Sequence, residues 1–403
     1  MDHALLAYDV YVGFDIGKFT HHALAQRAKD QKIILSRTVR QDEGEIRGVL
    51  EELARFGRML VAVDQKASIG QLVVCVTKAM GIDIGFLTPN DFHYFSKGYS
   101  EIKSDIKDAF VISDVAMRFT DRLSAITEDD EEKESLKVLC ARRKALVEEN
   151  TRDKNRIRSL LVQTHPALDA IIDRSDLDKA CYLRIFEHYG GFLGIRQAGR
   201  KRFVRFVAKQ PYYKNKAFDL SERFFEAIEQ QTVVMPGTST KESAVKQMAS
   251  AIIARNVKIA PLEDEIAALY SSFPESAVLG SIPGVGAFWG PVLLSEIGDI
   301  NQYKDAGHLA AYGGVAPSRR QSGTTLDQAN KKIKCNRRLK EALCQSAWSS
   351  VSWDEWSAWY YSKKRAEGKK HKQAILALAR HRTDIIYAML KNGSMYEPKT
   401  MKH

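Results

Sequence analysis

Hydrophobic and polar positions follow three successive rhythms along the 403-residue chain. Up to about Thr120, short apolar runs alternate with longer amphipathic stretches. Val10–Asp15, His22–Gln26 and Ile33–Val39 read as three successive strands. Asp42 to Phe56 reads as a helix, with Asp42 as N-cap and Ile46, Leu50 and Leu53 recurring on one face. The run M-L-V-A-V-D at Met59–Asp64 predicts another strand. Ser68 is placed to cap a helix carrying Leu72, Val73, Val76 and Met80, stopping near Gly81. Ile82–Leu87 predicts a strand closed by Pro89, and Ser104 caps a helix through Arg118. Three strands followed by helix–strand alternation predict an α/β layer with a mixed sheet.

The second rhythm is charged and helical. Glu128 to Gln163 carries a sparse apolar seam of Leu139, Leu146, Ile157 and Leu160. This pattern predicts a long solvated helix or a coiled-coil arm. Asp173 to Val233 has no clear period and contains a basic segment, Arg196 to Arg205. From about Thr240, Val245, Met248, Ile252, Ile259, Leu262, Ile266 and Leu269 recur at three- and four-residue spacing, with one beat missing at Arg255. Two readings stay open: a dimerisation arm, or an intramolecular pair with the first long helix.

The third rhythm begins at S-I-P-G-V-G near Ser281. Helical segments surround a glycine-rich stretch, A-Y-G-G-V-A-P-S-R-R-Q-S-G-T-T, and end near Lys391. P-G-V-G before an apolar helix has the form of a hairpin whose backbone N–H groups can hold a phosphate. Trp353, Trp356 and Trp359, spaced three apart, read as the packing face of a helix, with base stacking as the alternative.

Composition adds less. Apolar residues make up 44% of the chain, enough for sizeable cores. The net charge of +11 favours an acidic partner such as DNA or RNA, or is ordinary basic surface. Five widely spaced cysteines form no C-x-x-C pair, which fits neither a zinc site nor a disulfide framework and suits a reducing compartment. No apolar run approaches a membrane span and the start lacks a basic signal region, so a cytosolic protein is expected.

Chemistry concentrates on acids. Asp15 and Asp64 each end an apolar strand-like run, where an unpaired carboxylate is costly. K-S-D-I-K-D-A places Asp105 and Asp108 three apart, on one face of a helix. Clustered carboxylates suit hard divalent cations in phosphoryl transfer; the alternatives are caps, loop acids and a solvated first turn. Ser322, after Arg319 and Arg320, is a candidate nucleophile or a turn serine. Lys331, Lys332, Lys334, Arg337, Arg338 and Lys340, with Asn336 among them, form a basic run suited to a nucleic-acid backbone.

In order, G-F-D-I-G-K, V-D-Q-K-A-S-I-G, K-S-D-I-K-D-A, S-I-P-G-V-G, H-L-A-A-Y-G-G-V-A-P-S-R-R-Q-S-G and K-C-N-R-R-L-K resemble the transposases of the insertion-sequence-110 family, related to the pilin-gene invertase. The resemblance implies an RNase H/RuvC-like α/β domain over residues 1–124, a helical coiled-coil and oligomerisation region over 125–280, and a mainly helical C-terminal transposase domain over 281–403. It implies that Asp15, Asp64, Asp105 and Asp108 bind Mg2+, with Mn2+ as a substitute, and that Ser322 attacks DNA through a phosphoserine link. The partners it implies are double-stranded donor and target DNA, a guide RNA from the element and a homo-oligomer, dimer or tetramer, in the bacterial cytoplasm at the nucleoid. Two features depart from the family pattern: Asp64 stands where the named tetrad has Glu, and Gln321 where many members have a second serine. Two other readings remain: a RuvC-like nuclease using activated water, and a non-catalytic nucleic-acid-binding protein.

Overall fold

The computed structural model describes residues 8–66, 68–99, 104–126, 129–316, 319–321, 327–329 and 335–398. They form two compact units, 1–134 with 298–304, and 135–297 with 305–403.

In the first unit the elements run β1 (Val10–Asp15), β2 (Thr20–Arg27), β3 (Ile33–Arg40), α1 (Glu43–Ala54), β4 (Met59–Val63), α2 (Gln71–Ala79), β5 (Asp83–Phe86), α3 (Pro89–Ser96), α4 (Asp105–Arg118) and the two-residue β6 (Ser124–Ala125). The sheet order is β3-β2-β1-β4-β5-β6. β1 pairs antiparallel with β2 and parallel with β4 and so lies inside the sheet. A strand covered on both faces reads as a continuous apolar run, and V-Y-V-G-F is one. Its alternation sorts the faces. Val10, Val12 and Phe14 join Ile46, Leu50 and Leu53 of α1 and Val73 of α2 in one core. Tyr11 joins Val111, Ile112 and Val115 of α4 in the other.

Asp42 caps α1 by accepting from Glu45 N–H, and Ser104 caps α4 by accepting from Lys107 N–H at 3.2 Å. Ser68 does not cap α2, contrary to the sequence expectation. It sits in a 3-10 turn, Ser68–Gly70, with φ of +58°, and α2 begins only at Gln71. The chain packs closely here: a Cβ at Gly70 would lie 1.8 Å from the Gln65 carbonyl oxygen. Pro89, expected only to close a strand, opens α3 behind the Thr88 cap.

The long helix α5 (Asp129–Thr164) starts in the first unit and runs into the second. The second unit continues with α6 (Pro166–Ala170), α7 (Ala180–Tyr189), α8 (Phe192–Ala198), α9 (Arg200–Ala208), α10 (Ala217–Glu229), α11 (Thr238–Ser271), α12 (Glu275–Gly280), α13 (Gly286–Ile297) and α14 (Ala306–Tyr312). The short β7 (Arg319–Gln321) and β8 (Asp327–Ala329) then pair antiparallel, followed by α15 (Arg337–Ser350), α16 (Glu355–Ala366) and α17 (His371–Asn392).

Ile157, Phe186, Phe203, Phe224, Val245 and Ile252 share one core, to which α5, α7, α9, α10 and α11 each contribute. The two long helices pair inside this unit. Asn150 Nδ2 donates to Asn256 Oδ1 at 2.8 Å, Arg143 Nε to Glu263 at 2.6 Å and Arg255 Nη2 to Asp153 at 2.5 Å. Rising numbers on α5 meet falling numbers on α11, so the pair is antiparallel. Arg255, the missing apolar beat, is one of the residues that bond α5. The intramolecular alternative is therefore the arrangement present. The tryptophans are not a packing face as expected: Trp353 precedes α16 and is 78% exposed, and Trp359 is 44% exposed. Trp356 stacks on His381, ring centroids 4.4 Å apart.

Candidate active site

Asp15 is the last residue of β1, and Asp64 directly follows β4. The two strands are parallel and in register through Phe14 and Val63, so both carboxylates leave neighbouring strands at the same level. The Ile16 N–H donates to Asp64 Oδ1 at 3.3 Å. Asp64 is half-buried, and burial, reinforced by the charge of Asp108, pushes its carboxyl up to about 6.

α4 brings the other two acids. It can approach β1 because Gly13 has no side chain: a Cβ there would lie 2.3 Å from the Ala109 carbonyl oxygen and 2.6 Å from the Ser113 nitrogen. Ser113 Oγ donates to the Tyr11 carbonyl at 2.9 Å, fixing the helix along the strand. The first turn of α4 then holds Asp105, exposed, and Asp108, buried at 8% exposure. Asp108 is near enough to raise Asp64. Asp105 instead acts on His22, the β2 residue opposite Asp15, raising an imidazole that burial lowers. Among the described residues, no three His, Cys, Asp or Glu side chains already converge as a closed metal shell. The donor chemistry nonetheless fits a hard divalent cation. All four groups are carboxylates, and the half-buried Asp64 feels the negative charge of the buried Asp108.

A brace missed by sequence reasoning holds the two acid-bearing loops. Gly17 N–H donates to Nδ1 of His21, a side chain 1% exposed. His21 Nε2 bonds the Gln41 side chain, and Gln41 Nε2 donates to the Ile69 carbonyl at 2.6 Å. The turn after Asp15 is thus tied to the loop after Asp64. The adjacent pair His21-His22 at a strand start was the available signal.

Ser322, Lys331, Lys332 and Lys334 lie outside the described residues. The backbones of Arg319 and Arg320 lie in β7, opposite Ala329 and Gln328. Asn336 caps α15, accepting from Arg338 and Leu339 N–H, while its Nδ2 donates to Glu296 at 2.8 Å and to Tyr312 OH at 3.1 Å. Arg338 stands 3.6 Å from Glu296, Arg337 is exposed, and Lys340 is half-buried. The P-G-V-G turn is also pinned. The buried Arg382 donates to the Pro283 carbonyl and to Ser357 Oγ, and Gly284, at φ +82°, leaves no room for a Cβ beside Ser346 and Ser350.

A transposase family model matches residues 12–166, spanning all four acids, and a second, described as transposase IS116/IS110/IS902 family, matches 276–362. An insertion element IS110 protein of 43.6 kDa from Streptomyces coelicolor is 38% identical over 392 residues, 97% of this chain and 96% of its own. The chain belongs to the IS110 family of transposases. An insertion element IS116 protein from Streptomyces clavuligerus is 30% identical over 96% of both chains, and the pilin gene-inverting protein of Moraxella bovis is 33% identical over 148 residues, 35% of this chain and 46% of its own. The family makes this chain a DNA transposase or recombinase and points to a divalent metal. No helix among the described residues is long and apolar enough to cross a membrane.

Proposed function

We propose that this transposase cuts and rejoins DNA strands of an insertion sequence through a covalent phosphoserine, using an RNase H/RuvC-like acidic site and Ser322. Asp15, Asp64, Asp105 and Asp108 would hold Mg2+, or Mn2+ in its place. The observation that carries the reading is the meeting of two strand ends and one helix start, each bearing carboxylates, with Asp64 at a raised pKa of about 6 beside Asp108. When bound, the cation supplies Lewis-acid stabilisation of charge on the phosphate.

Ser322 Oγ forms a bond to phosphorus as one bond from phosphorus to a deoxyribose oxygen breaks. The bonding pair leaves with that oxygen, which takes a proton, while the serine proton passes to solvent. One phosphoester replaces another, so a hydroxyl from a second strand can reverse the step and rejoin DNA without external energy. Arg319 and Arg320 offer charge-assisted donors to the phosphate. The basic run Lys331, Lys332, Lys334, Asn336, Arg337, Arg338 and Lys340 would hold the backbone.

In this reading residues 1–124 carry the acids, 125–280 the oligomerisation region and 281–403 the serine. A guide RNA from the element would pair with donor and target DNA. The working form would be a dimer or tetramer in the bacterial cytoplasm, at the nucleoid, with the acids of one protomer meeting the serine of another.

The test is a suicide substrate carrying a nicked element end, incubated with Mg2+. The expected product is a DNA–protein adduct lost in both Ser322→Ala and Asp15→Ala. Cleavage surviving in Ser322→Ala would replace this mechanism with attack by activated water. Recombination unaltered in Asp15→Ala would reduce the acids to structure. Mixing the two variants should restore activity if protomers share a site.

A further inference from the structure

Between Arg200 and Lys216 the chain carries seven Lys or Arg residues and no Asp or Glu. α9 is anchored by Phe203 and Val207, both fully buried. Arg200 is neutralised by Glu222 and Glu229 on α10. Lys201, Arg202, Arg205, Lys209, Lys214 and Lys216 are exposed, and none has a carboxylate within ion-pairing distance among the described residues.

Folding alone does not favour this arrangement. Three cations occupy the first turn of α9, where the helix dipole favours acids and none is present. Lys201 and Arg205 are four apart on one face, a like-charge pair that opposes the helix, and Lys209 continues the same row. The loop that follows carries a second unfavourable feature. Tyr212 is 97% exposed and holds φ of +65°, a left-handed conformation that a side-chain-bearing residue adopts at a cost. Its neighbour Tyr213 packs edge-on against Tyr182, ring centroids 6.4 Å apart, which keeps Tyr212 turned outward. Cations without partners beside an outward aromatic suit a polyanion that offers sugars and bases.

We propose that α9 and the loop after it dock duplex DNA: the six unpaired cations neutralise backbone phosphates, and Tyr212 packs against a sugar or base edge. The inference rests on membership of a transposase family, not on the acid-and-serine mechanism. DNA rather than RNA is chosen because DNA is what a transposase acts on.

The test uses the full-length protein in EDTA, so that binding is read without cleavage. A labelled random-sequence duplex is titrated by fluorescence anisotropy between about 50 and 200 mM salt. Each lost phosphate contact removes about 0.9 from the slope of log affinity against log salt. The triple variant Lys201→Gln, Arg205→Gln, Lys209→Gln should lose about 2 to 3 from the slope and bind about tenfold more weakly or worse at the higher salt. Tyr212→Ala should weaken binding at unchanged slope, since its contact is not ionic. Arg200→Gln, already ion-paired, should leave the slope as in the wild type. An unchanged slope in the triple variant with an intact thermal midpoint overturns the proposal. So does an equal loss in Arg200→Gln, which would make the effect one of net charge. A defect confined to a structured RNA competitor, with duplex binding intact, overturns it in favour of RNA. If the triple variant unfolds, Tyr212→Ala decides: unchanged duplex affinity there rejects the surface. Failure of the Ser322 chemistry would leave these slopes untouched.

Discussion

At Gly13, β1 and α4 approach more closely than any side chain permits, and the placement of Asp105 and Asp108 depends on that contact. A methyl group would meet backbone atoms of Ala109 and Ser113, which cannot rotate away. Gly13→Ala should therefore cost about 1–3 kcal/mol through overpacking and reduce DNA cleavage by displacing the acids. Gly48 in α1 is the control, because its Cβ would meet nothing within 4 Å. Gly48→Ala should raise stability by about 0.5–1 kcal/mol through helix propensity. Urea midpoints moving the same way in both variants would refute the packing argument. The four acids stood out in the sequence as candidates, Asp15 and Asp64 because each ends an apolar run, Asp105 and Asp108 because they stand three apart at a helix start. Gly13 was not, because its role depends on a helix about a hundred residues later in the chain. The His21–Gln41 brace was hidden for the same reason: its partners are remote in sequence and meet only across the sheet edge.

Elements with strong local signals were legible, and those without were not. Val10–Asp15 appears as read, and Asp42 and Ser104 cap the helices assigned to them. Asp173 to Val233 gave no readable period, yet it folds into α7, α8, α9 and α10. None of these four begins with a side-chain cap; their cap residues are Lys179, Gly191, Gly199 and Lys216. Such short helices are specified by the shared core of Phe186, Phe203 and Phe224 rather than by local start signals. The antiparallel pairing of α5 and α11 was one of two readings of their seams, and Arg255 is the clearest mark of it. Its guanidinium reaches Asn150, Glu149 and Asp153 from a half-buried position. Arg255→Met should destabilise the protein by about 1–3 kcal/mol, because the buried Asp153 keeps only the exposed Arg156 as a charged partner and Asn150 loses a donor. Arg255→Lys should recover only part of the loss, because an ammonium cannot fork to several acceptors. Chemical denaturation measures both; full recovery by lysine would reduce the interaction to simple charge.

For the whole molecule, the two units have separate cores: the sheet with α1, α2 and α4 in one, and the helices around Phe203 and Phe224 in the other. Heat unfolding should accordingly resolve two calorimetric transitions, one lowered by Gly13→Ala and the other by Arg255→Met. One cooperative transition, shifted by both variants alike, would show that the units do not unfold independently. The strands and capped helices of the first unit, the α/β-then-helical plan, the positions of the four carboxylates and the family motifs are already written in the order of residues, because period, capping and strand-ending acids are local properties. Tertiary structure alone decided which elements touch. It set α4 onto β1 at Gly13, turned the two long helices on each other and tied the acid-bearing loops through His21. It also left the cations between Lys201 and Lys216 without carboxylate partners among the described residues. Those outcomes depend on close packing and charge pairing between distant residues, and one-dimensional spacing does not encode them.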